Sequence, residues 1–153
     1  MQCTIYAPGE KKRRVPRQQV MVLAAVGEAL ILCRDEINAL WMLPEGTIQS
    51  GESAEETARR VLGRAMGEAV FDVTPLCEYS VTGEDGKESG GYAFTAAVSD
   101  WADERESHAR AFARMPLASQ TAKAALVFAL HRWAGERFDE RLQIERLGQP
   151  AAL

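Results

Sequence analysis

Gly46 to Gly67 reads GTIQSGESAEETARRVLGRAMG, and the pattern within it decides how the chain folds. Ser53 followed three residues later by Glu56 is a capping pair, in which each side chain can satisfy a backbone amide left open at a helix start. From there Ala54, Ala58, Val61, Leu62, Ala65 and Met66 recur with the helical period, while Glu55, Glu56, Arg59, Arg60 and Gly63 fall largely off the stripe. Gly67 follows the last apolar residue, where a glycine takes the left-handed conformation that ends a helix. The spacing predicts an amphipathic helix from about Ser53 to Met66 with one face on a core.

Together with the preceding Leu43-Pro44-Glu45-Gly46, this stretch resembles the Nudix box, the loop and helix with which Nudix hydrolases hold metal-bound pyrophosphate. Gly46, Glu52, Arg60, Leu62 and Gly67 fall on the family pattern in register. The three positions where the family places metal-binding glutamates are Val61, Arg64 and Ala65. These are spaced i, i+3 and i+4, so their side chains share one surface of the helix. Carboxylates there would suit magnesium or manganese, whereas a fixed guanidinium repels a divalent cation. The resemblance implies an α/β class protein, an α/β/α sandwich around a mixed sheet, covering roughly residues 17–135. Family-type metal binding is not expected.

Glu52 and Arg60 pair in the family to hold the loop against the helix, and a structural salt bridge is their first reading. Glu55 and Glu56 sit in a first helical turn, where the helix dipole favours acidic residues in any protein. Glu45 stands where the family commonly has glycine beside phosphate, and could either supply a displaced metal ligand or repel an anion.

The remaining chain supports one domain. Its 153 residues and 46% hydrophobic content suffice for one core and are short for two. Residues 1–137 form the expected domain, and 138–153, with apolar points at Phe138, Leu142, Ile144 and Leu147, form a charged tail or short helix. The net charge of -4 argues against a general nucleic-acid surface despite the basic run Lys11-Lys12-Arg13-Arg14. Cys3, Cys33 and Cys77 are odd in number and have no CxxC spacing, so reduced thiols in a cytoplasmic protein are expected. No apolar stretch approaches the ~20 residues that span a bilayer, so no membrane partner is expected.

Along the chain, residues 2–6 read as a short strand. Gln18–Val26 and Ala29–Cys33 read as a hairpin about Gly27-Glu28, and Leu40–Leu43 as a strand delivering the box loop. Phe71–Val81, broken at Pro75, and Tyr92–Val98 are further strands, with a mobile polar loop from Thr82 to Gly91. Ser119 or Thr121 is expected to cap a helix through about Glu136, with Ala122, Ala125, Leu126, Ala129, Leu130 and Trp133 on one face.

The expected function is binding of a nucleotide-like or phosphorylated ligand, or of a partner, with little or no hydrolysis. Candidate ligand contacts are Glu45, Gly46, Arg60, Arg64 and Glu78, with Arg110 and Arg114 as a further phosphate-holding pair. The alternative is an active Nudix hydrolase that cleaves a nucleoside diphosphate linked to another group. Glu52 and Glu56 would then be its catalytic and metal-binding residues, and Glu45, Glu78, Glu84, Asp85 or Glu88 relocated ligands. No cofactor is expected under the first reading, and magnesium or manganese under the second. His108 is a candidate proton-transfer group or a surface histidine. A third reading, oligomerisation, rests on the tail, and a homodimer is compatible with it.

Overall fold

The computed structural model describes residues 2–8, 16–101 and 108–135. The basic run and residues 138–153 lie outside these. Eight strands form one sheet: β1 (Gln2–Tyr6), β2 (Arg17–Val26), β3 (Ala29–Asp35), β4 (Leu40–Met42), β5 (Glu45–Thr47), β6 (Ala69–Thr82), β7 (Glu88–Trp101) and β8 (Ala109–Phe112). The order is β1-β6-β7-β2-β3-β4, with β5 also on β2 and β8 also on β3. The β2–β7 pair is parallel and the others are antiparallel, so the sheet is mixed. Helix α1 (Ala54–Met66) covers one face. A second helix, α2 (124–135), contributes Leu126, Val127 and Leu130 to the core on the other.

This two-sided burial explains the continuous apolar run at β2. Val20, Val22 and Ala24 join the α1 side, and Met21 and Leu23 join the α2 side. On α1, Leu62 and Met66 have no exposed surface, a burial that stabilises by about 1.5–3 kcal/mol for each side chain. Ser53 caps the helix by accepting the Glu56 amide, and the Gly67 amide donates to the Gly63 carbonyl at the other end.

Several expectations need correction. Pro75 does not break β6, because the strand runs through it with a shift in register between Pro75 and Cys77 that absorbs the missing donor. Half of the expected loop from Thr82 to Gly91 is strand, since Thr82 pairs with Glu88, and the connection contracts to residues 83–87. There the Gly83 amide donates to the Lys87 carbonyl and the Lys87 amide to Asp85. Glu45 and Gly46 belong to β5 and not to a loop. The segment before the last helix contains the unforeseen strand β8.

The expected caps of α2 also differ. Ser119 lies in a 3-10 turn (Ala118–Gln120), and Thr121 is buried with its hydroxyl donating to the Leu117 carbonyl. Lys123 accepts the first helical bond, from Val127. The buried face also differs from the expected stripe, with Val127 buried and Ala125 exposed.

Candidate functional site

Glu52 and Arg60 fasten the loop after β5 to α1. The Arg60 Nε and Nη2 atoms donate to the two carboxylate oxygens at 2.8 and 2.9 Å, and Nη2 also donates to the Thr47 carbonyl. The Thr57 hydroxyl donates to Glu52 at 2.6 Å, and so does the Gln49 amide at 3.2 Å. Arg60 first, then Thr57, hold the Glu52 carboxyl at a pKa of about 2.

A folded-state pKa below the ordinary 4.5 contributes stability that is present above that value and lost as pH falls toward about 2. Wild type is therefore expected to unfold at a higher temperature than Glu52→Gln near neutral pH, with the gap closing between those two pH values. Thermal melts of both proteins across that range check this, and a gap independent of pH contradicts it.

On the neighbouring surface of α1, Val61, Arg64 and Ala65 line a cavity of about 360 Å³. Cys33 and Arg34 of β3, Met42 of β4, Leu43, Glu45 of β5, Glu36 and His108 complete it. Gly46 lets β5 come close to α1, since a Cβ there would lie 2.6 Å from Val61 Cγ2. One of the two cavity carboxylates is engaged by an ammonium, and the other lies beside a histidine. Glu45 takes the Lys123 ammonium on both oxygens at 3.0 Å, and Glu36 lies 3.2 Å from His108 Nδ1. Arg34 stacks on the Trp41 ring, 5.5 Å from its centre. Arg64 is exposed and has no ion pair or side-chain hydrogen bond among the described residues. Burial pushes the Cys33 thiol up to about 11, so it is a neutral wall and no nucleophile.

The structure distributes the other candidates widely. Glu45 and Arg64 share the cavity, and Gly46 abuts Val61 at its edge. Arg60 is engaged with Glu52, and neither lines the cavity. Glu56 is exposed on the first turn of α1. Glu78 pairs with Arg17 at 2.9 Å and lines a different cavity. Glu84 and Asp85 lie in the β6–β7 turn, with Glu88 at the start of β7. Arg110 donates to the Ala109 carbonyl, and neither it nor Arg114 lines the cavity. Arg34, Glu36 and Lys123 were not foreseen. Lys123 meets Glu45 across 78 positions of sequence, and no local pattern reports such a contact.

The donor set does not fit a divalent cation. A hard cation needs several oxygen ligands at once, and among the described residues no three His, Cys, Asp or Glu side chains form such a group.

Sandwich, mixed sheet and the helix following β5 together define the Nudix fold. No family model matches the chain, and no curated protein matches it. Solved structures do. The Bacillus subtilis pyrophosphohydrolase BsRppH, crystallised as a point mutant, aligns with a TM-score of 0.71 at 18% identity, over 88% of this chain and 90% of its own. A UDP-X diphosphatase aligns at 0.61 and 16%, over 84% of this chain and 68% of its own. A mutT/nudix family protein from Listeria innocua aligns at 0.56 and 16%, over 86% and 99%.

Proposed function

We propose that this chain is a Nudix-fold binding protein that holds a nucleotide-like or phosphorylated ligand in the cavity beside α1, with little or no hydrolysis. The observation that carries the reading is the Arg64 guanidinium on the cavity wall between Val61 and Ala65, with no carboxylate partner among the described residues. A guanidinium offers a planar fork of donors that matches two phosphate oxygens and needs no metal. Arg34 adds a second cation, and the Trp41 ring beneath it offers an apolar surface. The names of the similar structures, a pyrophosphohydrolase and a diphosphatase, favour a phosphate-bearing ligand. Hydrolysis would lack its main agents, because a metal both neutralises the pyrophosphate and activates the attacking water.

The test is a panel of nucleoside mono-, di- and triphosphates, nucleotide sugars and dinucleotides, screened for thermal stabilisation in chelator and for turnover with magnesium or manganese. Stabilisation without turnover is expected. Arg64→Ala should weaken the binding by about 10- to 100-fold, the value of a charge-assisted hydrogen bond. Metal-dependent turnover overturns the reading, and its loss in Glu45→Gln would identify a hydrolase with relocated ligands.

A further inference from the structure

Lys123, just before α2, has a φ of 52°. This is the left-handed region, which a residue with a Cβ occupies only where its surroundings hold it. Three contacts do so. The Ala122 amide donates to the Trp41 carbonyl, the Val127 amide to the Lys123 carbonyl, and the Lys123 ammonium to both Glu45 oxygens at 3.0 Å. The first two use backbone that any sequence has, whereas the third requires a cation at this position.

Glu45 lines the cavity beside Arg64, and Lys123 does not. The Glu45 side chain is 18% exposed against 48% for Lys123. Its charge also reaches the buried Tyr79 hydroxyl, which burial first and Glu45 next push up. Among the described residues, the formally charged side chains of the lining are Arg34, Arg64, Glu36 and Glu45, two of each sign with histidine counted as neutral. Left to these four, the cavity would carry no net charge, and the Glu45 carboxylate would repel an anion that the guanidinium groups attract. The ammonium on Glu45 tips the balance to one net positive charge. A divalent cation approaching Glu45 would meet that same ammonium, which already bridges both oxygens.

We propose that Lys123 is the positioning residue that makes this cavity select anions: by occupying Glu45 it cancels the carboxylate on the wall and leaves Arg64 and Arg34 to hold phosphate. This rests on the reading of the cavity as a phosphate site. Because Lys123 acts through Glu45 and not on the ligand, the signs of the effects follow from charge. Inorganic pyrophosphate, titrated into the full chain in chelator and followed by calorimetry, is the probe. Lys123→Gly removes the charge and suits the left-handed backbone, so this variant should melt close to wild type. It should nevertheless bind pyrophosphate about five- to tenfold more weakly, the scale of one bare charge near a bound anion. Lys123→Gln should show the same loss, and Lys123→Arg should bind as wild type does. Glu45→Gln, which removes the carboxylate itself, should bind more tightly. Combined with Lys123→Gly it should return to within about threefold of wild type. All these differences should shrink at high salt.

Were the pair only a brace for the start of α2, both single neutral variants would bind more weakly, and the double variant would be no better than either. That pattern, or wild-type affinity in a folded Lys123→Gly or Lys123→Gln, overturns the proposal and leaves phosphate binding at Arg64 standing. Pyrophosphate binding by none of these proteins overturns both.

Discussion

Replacing Val61, Arg64 and Ala65 together by glutamate is expected to give the protein a divalent-metal site beside α1. All three positions already line one cavity, so the carboxylates would converge without backbone movement. The change removes the Arg64 cation and adds three anions, shifting the local charge by about four units toward what magnesium or manganese needs. At a metal concentration about 100-fold above Kd, binding to the native state alone adds about 2.7 kcal/mol. For a chain of this length that raises Tm by roughly 5–10 °C. Val61 is 6% exposed and touches the space beside Gly46, so the apo variant should melt below wild type by about 1–3 kcal/mol, the cost of a buried polar group. Melts of both proteins with manganese and with chelator check this. An equal manganese shift in wild type would mean that its own carboxylates already bind metal, and the binding reading would fall.

How much of this was legible follows from the range of the interactions. The helix from Ser53 to Gly67 is local in every part: a cap three residues from its amide, a stripe of fixed period and a terminal glycine. The hairpin at Gly27 is equally local, and the structure has the turn with positive φ at that glycine and Val26 opposite Ala29. β8 was missed because Ala-Arg-Ala-Phe carries little alternation or β-branching. It is a strand only because β3 offers Leu30 to Cys33 for pairing. The α2 boundary was misjudged for a related reason. Thr121 has the composition of a cap, but its neighbour Ala122 donates to the Trp41 carbonyl, tying the segment to β4 before the helix starts.

At the site, the sequence marked what lies on the helix and missed what faces it. Glu52 and Arg60 are eight residues apart on one motif, and their pairing was readable. Arg34, Glu36 and Lys123 come from β3, the turn after it and the approach to α2. Their charges were indistinguishable from those of any polar turn until the fold brought Arg34 and Glu36 into one cavity with Arg64 and Lys123 onto Glu45. Thr57 shows the same limit within the box. It breaks the apolar stripe, yet it is fully buried, because the single proton of its hydroxyl is shared between the Glu52 carboxylate and the Ser53 carbonyl.

Gly91→Ala is expected to be the most damaging single-methyl addition in the described sheet. Gly91 sits in β7 between Tyr79 of β6 and Gln19 of β2. A Cβ there would meet the Tyr79 hydroxyl and ring end, and would lie 2.6 Å from the Gln19 carbonyl oxygen. Neither neighbour can yield cheaply. Gln19 is held in the ladder to both β5 and β7, and Tyr79 is 4% exposed, with its hydroxyl pushed well above its ordinary pKa by burial first and by the Glu45 charge next. Overpacking of this kind costs about 3 kcal/mol, or on the order of 10 °C in Tm for a chain of this size. The strain should also reach the site, because β2 carries Gln19 and, two residues on, Met21 opposite Glu45. Gly91→Ala should therefore weaken ligand binding beside α1 even at temperatures where the protein is folded. Combining it with Tyr79→Leu, which removes the ring end, should recover part of the lost stability, leaving the share due to the Gln19 carbonyl. A Gly91→Ala protein that melts within about 1 °C of wild type would mean that the sheet yields at this point at a cost well below that of ordinary overpacking.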